Sequence, residues 1–161
     1  MFKWIRVTKN YCTGFFALGV LLFALQETPY MIMPLMKLGA NPIMNLSNKV
    51  PWLDIVQTVL GSLSVAALIL LVRKDSKAFS LHGGREKAFF ALAMLCLALN
   101  FSGWGFYFAG YQAKALILCC LVAAVPLYYV FLGLWRENYP LSVIGTLFLA
   151  AHVVNVAINL S

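Results

Sequence analysis

Residues 113–135 read AKALILCCLVAAVPLYYVFLGLW, twenty-three residues in which Lys114, near the start, is the only charged side chain. A helix needs about 20 apolar residues to cross roughly 30 Å of hydrocarbon, and this run is long enough. Four further stretches share its character, approximately 11–35, 51–72, 87–111 and 141–160. Of the 161 residues 63% are hydrophobic and 11% charged, and the mean hydropathy is +0.87. No soluble core of ordinary size hides that much apolar surface, so a bilayer must take the excess. Each run is continuous and helix-length rather than an alternating ten-residue barrel strand, and a helix satisfies its own backbone in lipid. The expectation is an all-α integral membrane protein, one five-helix domain spanning residues 1–161.

Basic residues orient such a bundle, because loops rich in Lys and Arg resist translocation. Lys3, Arg6, Lys9, Arg73, Lys74, Lys77, Arg85, Lys87 and Arg136 fall on one side, against Lys37, Lys49 and Lys114 on the other. The N-terminus is therefore expected in the cytoplasm and the C-terminus outside, in a multi-pass protein of the plasma (inner) membrane. The net charge of +7 follows from this bias and suits anionic headgroups, so it calls for no nucleic acid. The first run opens like a signal peptide, but Phe23 to Pro29 offers no good small-x-small cleavage site, and it is read as a retained helix.

Cys12, Cys96, Cys119 and Cys120 show no C-x-x-C spacing and read as small apolar packers. The longest polar loop, Arg73 to Glu86, is too short to bury a core. On the other side, residues 28–44 are apolar but broken by Pro29, Pro34, Gly39 and Pro42. The first helix is expected to kink or end near Glu27 to Pro29, with the following segment folded over the outer mouth of the bundle as a lid or as simple packing. Pro126 predicts a kink in the fourth helix. The small residues Gly61 to Ala67 would let another helix approach closely, within the bundle or in a complex.

Depth singles out a few polar groups. At 1.5 Å per residue, Asn100 lies about 18 Å from the cytoplasmic end of the third helix and His152 about 17 Å along the fifth. Glu27 comes about 24 Å along the first helix, and Asp54 within about 5 Å of the outer start of the second. Helical spacing then draws stripes: His152, Asn155 and Asn159; Asn100, Trp104, Tyr107 and Tyr111; Asp54, Gln57, Thr58 and Gly61. Polar stripes turn toward one another because an unpaired polar group in hydrocarbon costs several kcal/mol. The pattern predicts an outward-opening pocket with Glu27, Asp54, Gln57, Asn100, Trp104, Tyr107, His152 and Asn155 as ligand-binding residues.

Each of these also has a purely structural use. Asp54 in a first turn is stabilised by the helix dipole, Glu27 would reach headgroups, and His152 would bond a neighbour such as Asn100 as interhelical glue. Trp104, Tyr107 and Tyr111 would form an aromatic belt. Three chemistries fit such a pocket. It would bind a small molecule or lipid headgroup in transport or sensing, with Glu27 and Asp54 pairing to a cationic or polar solute against an aromatic wall. It would house an intramembrane hydrolase or isomerase with His152 as the candidate catalytic residue. Or the chain is a non-catalytic subunit whose helix faces meet a membrane-protein partner or a second copy. Met31, Met33, Met36 and Met44 carry thioethers that suit Cu(I), but no ligand spacing accompanies them; no metal is assigned and no cofactor is strongly implied.

Overall fold

The computed structural model describes residues 2–36, 38, 41–43, 45–75, 77 and 79–160. It is mostly helical, at 70%, with five helices long and apolar enough to cross a membrane: 17–35, Pro51–Leu70, Gly84–Phe108, Lys114–Trp135 and Tyr139–Asn159. We label them α1 (Ala17–Ile32, extended by a 3-10 turn at Met33–Leu35) and α2 to α5 in chain order. α4 is central and the most buried, with α3 and α5 on either side of it; α2 packs on α5, and α1 lies at the periphery.

The all-helical expectation is corrected by a small sheet at one end. Strands β1 (Phe2–Arg6), β2 (Tyr11–Phe15) and β3 (Leu71–Arg73) pair antiparallel with β2 in the middle. Tyr11 faces Arg73 and Thr13 faces Leu71, while Phe2 faces Phe15 across the other edge. The first helix therefore begins at Ala17 rather than near Tyr11. The physical reason lies in Tyr11-Cys12-Thr13-Gly14-Phe15, whose β-branched, aromatic and glycine residues are poor helix formers. Thr8 turns the hairpin, its hydroxyl accepting from Tyr11 N at 3.1 Å, as hydroxyl-stabilised turns do.

Pro29 and Pro126 both lie within helices. α1 runs through Pro29 and stops at Ile32; Thr28, just before the proline, donates its hydroxyl to Ala24 O at 3.0 Å, a bond that accompanies helix bending. In α4 the irregularity precedes Pro126, as a π-helical segment at Ile117–Ala123. Such widened turns leave carbonyls without intrahelical partners. Here Asn100 Nδ2 donates to Cys120 O at 3.1 Å and the Tyr30 hydroxyl to Leu121 O at 3.0 Å, so α3 and α1 satisfy what α4 cannot.

Helix ends follow their sequences. α2 starts with Pro51 in its first turn and Asp54 just behind it, where a missing N–H and a negative charge are both favourable. Gly110, at φ 93°, ends α3 in a conformation open to glycine. Asn138 caps α5, its side-chain oxygen accepting from Leu141 N at 3.3 Å. Its amide donates to Ala67 O at 3.0 Å and Leu71 O at 2.9 Å, tying the end of α2 to the start of α5. Nearby, Arg73 pairs with Glu137, and the Arg136 guanidinium lies 4.4 Å from the Phe16 ring centre; burial there pulls its pKa down to about 10.

The larger apolar core, around Leu68, Ala93, Leu97, Tyr128, Leu132 and Leu141, fills the sheet-bearing half. A smaller one, with Met33, Trp104, Tyr107, Ile117, Leu121 and Val156, fills the other. The seam between α3 and α4 depends on Gly103, where a Cβ would stand 2.5 Å from Cys120 Cβ and 3.0 Å from Leu121 Cδ2. Gly103→Val is expected to destabilise the fold by about 2 to 3 kcal/mol through overpacking, read as an earlier unfolding midpoint in SDS-titrated mixed micelles. A wild-type midpoint would mean that the seam yields freely.

Candidate functional site

At the end of the bundle away from the sheet, α2 and α5 bring their polar stripes face to face. Asp54 and Gln57 are one turn apart on α2; His152, Asn155 and Asn159 follow the i, i+3, i+7 spacing on α5, so each set lies on one helical face. Between these stripes, with Val156 beside them on α5, and an opposite wall of Tyr30, Trp104, Leu121 and Val122 lies a half-open cavity of about 250 Å3. Ile43, Leu46, Ser47 and Asn48 border it from the connection before α2.

The polar side is a chain of hydrogen bonds whose direction is fixed by chemistry. A carboxylate accepts only, so Gln57 turns its NH2 to Asp54, donating Nε2 to Oδ1 at 2.7 Å. Its amide oxygen then faces His152 Nδ1 at 2.7 Å. An amide oxygen cannot donate, so the imidazole carries its hydrogen on Nδ1, and in the neutral ring Nε2 keeps a bare lone pair. The ring stacks on Phe148 at 5.1 Å between centres, which holds its plane. From the other side Asn155 Nδ2 donates to Asp54 Oδ1 at 3.4 Å, and Asn159 Nδ2 donates to Asn155 Oδ1 at 3.0 Å. The chain closes on the connection before α2, where Lys49 N donates to Asn159 Oδ1 at 2.9 Å.

Asp54 is thus met by two amide groups and by no Lys or Arg among the described residues. Each of the three amide groups directs one N–H at another member of the chain. Its unused acceptors are the second Asp54 oxygen and His152 Nε2, and the one full charge on this wall is the carboxylate. On the opposite wall Tyr30 and Trp104 meet edge to face, 5.0 Å between ring centres. Trp104 is 1% exposed, and among the described residues its indole N–H makes no well-formed hydrogen bond, as is also true of Gln26 Nε2 and Asn100 Oδ1; the Tyr30 hydroxyl lies close to Trp104 and Asn100. Buried polar atoms are rarely left so.

Of the residues expected to bind a ligand, Asp54, Gln57, Trp104, His152 and Asn155 line this cavity. Asn100, Tyr107 and Glu27 do not. Asn100 is spent on Cys120 O, so it is not the partner of His152. Tyr107 holds the connection before α2, donating to Asn41 Oδ1 at 2.7 Å and accepting from Ile43 N at 3.2 Å. Glu27 sits half-buried on α1. Thr58 donates its hydroxyl to its own helix at Asp54 O, and Tyr111 is 68% exposed.

Tyr30 and Asn159 line the cavity without having been expected to bind. Asn159 carried a signal, the same stripe as His152. Tyr30 carried a weaker one, lying one turn beyond Gln26, which is itself buried and accepts from the Tyr129 hydroxyl at 3.1 Å. Met31 is exposed and Met33 buried, so these two thioethers face different surroundings; Met44 and Lys37 lie outside the described residues. Among the described residues no three His, Cys, Asp or Glu side chains gather to hold a metal ion. No protein-family model, no curated protein and no solved structure matches this chain, so its function is argued from the geometry of this cavity.

Proposed function

We propose that this chain is a multi-pass protein of the plasma (inner) membrane, N-terminus in the cytoplasm and C-terminus outside, whose outward-opening cavity binds a small molecule in transport or sensing. Five membrane-length apolar helices support the membrane reading. The nine basic residues gathered at the sheet-bearing end support the orientation. The observation that carries the binding reading is the continuous amide chain from His152 through Gln57, Asp54 and Asn155 to Asn159 around one half-open cavity. Mostly apolar hollows with a few convergent polar groups are the usual form of a small-molecule site.

An enzyme centred on His152 is less well supported. An amide, Gln57, orients the imidazole, and an amide cannot stabilise the imidazolium of a general base as a carboxylate does. The serine bordering the cavity, Ser47, directs its hydroxyl to Asn159 O at 3.5 Å. If the binding reading holds, some members of a panel of small polar solutes raise the melting temperature of the purified protein in nanodiscs. Val156→Phe, which fills the cavity, removes those shifts while the helical circular dichroism persists. A panel without any shift, or shifts that survive Val156→Phe unchanged, would overturn the reading.

A further inference from the structure

The polar wall presents acceptors and a negative charge, and this selects a class of ligand. Asp54 Oδ1 already receives hydrogens from Gln57 and Asn155, and the amide oxygens of Gln57, Asn155 and Asn159 receive theirs from His152, Asn159 and Lys49. Asp54 Oδ2 and His152 Nε2 are the atoms of this wall that accept nothing from the described residues. An anion would meet a carboxylate there and no cation among the described residues to offset it; a neutral alcohol would fill one acceptor and leave the charge unanswered. A group with several N–H donors and a positive charge satisfies both.

We propose that the cavity receives a small organic ammonium, its N–H groups donating to Asp54 and His152 and its positive charge facing the rings of Tyr30 and Trp104. Aromatic faces attract cations most strongly where water is excluded, and both rings line the cavity, Trp104 at 1% exposure. The indole N–H of Trp104, buried in the aromatic wall without a well-formed bond among the described residues, is a donor that an oxygen on the same molecule would satisfy once the ring yields. A volume of about 250 Å3 lies just under the usual range of roughly 300 to 1,000 Å3 for ligand pockets, so the ligand is small. This rests on the binding reading above and names its substrate class. The ammonium belongs either to a free amino alcohol or to the ethanolamine headgroup of a phospholipid, which present the same chemistry.

Aminopentanol, pentanediol and hydroxypentanoate have equal length and share a hydroxyl, but end in ammonium, hydroxyl and carboxylate. Titrated into the whole protein in phosphatidylglycerol nanodiscs, aminopentanol is expected to raise the melting temperature with an apparent affinity at least about tenfold tighter than pentanediol, since hydrogen bonds to charged groups are the stronger kind. Asp54→Asn, which keeps the shape of the side chain, should erase that preference. The wild-type ratio decides the matter even if Asp54→Asn fails to fold. Equal or tighter binding of the diol or the carboxylate would overturn the ammonium class and leave the cavity a binding site. If none of the three shifts the protein while other solutes of the wider panel do, the class falls alone; silence across the whole panel removes the binding reading with it. Where the amine binds, phosphatidylethanolamine in the nanodiscs distinguishes the sources: a suppressed shift assigns the site to the headgroup, an undiminished one to the free solute.

Discussion

Asn138→Leu is expected to lower stability by about 2 to 4 kcal/mol, a large effect for a side chain outside the apolar core. The side chain is 4% exposed and makes three bonds at once, accepting from Leu141 N and donating to Ala67 O and Leu71 O. Losing an N-cap costs about 1 kcal/mol, and withdrawing the amide from the Leu71 and Ala67 carbonyls costs about 1 to 3 more. The carbonyl of Ala67 keeps the Leu71 N–H at the end of α2, so what it loses is a second donor. SDS-titrated unfolding in mixed micelles measures the loss. Asn138→Asp separates the contributions, because it keeps the cap and removes the donor; wild-type stability in that variant would show that the bonds to α2 contribute nothing.

Gln57→Leu is expected to weaken aminopentanol binding by about ten- to a hundredfold while lowering stability by only about 2 kcal/mol. Gln57 is the single link between His152 Nδ1 and Asp54 Oδ1. Leucine preserves the volume but leaves both groups without that partner, and a buried polar group so orphaned costs about 1 to 3 kcal/mol. The half-open cavity admits water that replaces part of the loss, which keeps the stability effect modest. Binding suffers more, since the imidazole then turns or changes tautomer and the acceptors no longer converge. Calorimetric titration of the variant checks this, and an affinity within twofold of wild type would show that Gln57 does not orient the site.

Five helices were legible in the composition because hydrocarbon imposes length and apolarity on every spanning segment, whatever its neighbours. The stripe of His152, Asn155 and Asn159 was legible for a similar reason, since helical geometry assigns those three residues to one face. Which helix that face meets is a different matter. His152 and Asn100 lie at similar depths along their helices, yet α5 turns its stripe to α2, and Asn100 is drawn to the π-helical carbonyls of α4. Pro126 announced an irregularity in α4, but its form depended on donors from Tyr30 and Asn100 on two other helices.

What the amino-acid order determined alone was the set of apolar helices, their polar faces and the basic bias of one end, all consequences of local periodicity and of solvent. Tertiary structure decided the sheet, the pairing of Gln57 with His152, and the division of polar residues between carbonyl repair and the cavity wall. The pairing of β2 with β3 joins residues some sixty positions apart, such as Tyr11 and Arg73, and no local pattern records a partner at that distance. Hydrogen-bond capacity belongs to single residues, but whether it is spent on a neighbour or left facing a hollow is settled only once the helices have packed.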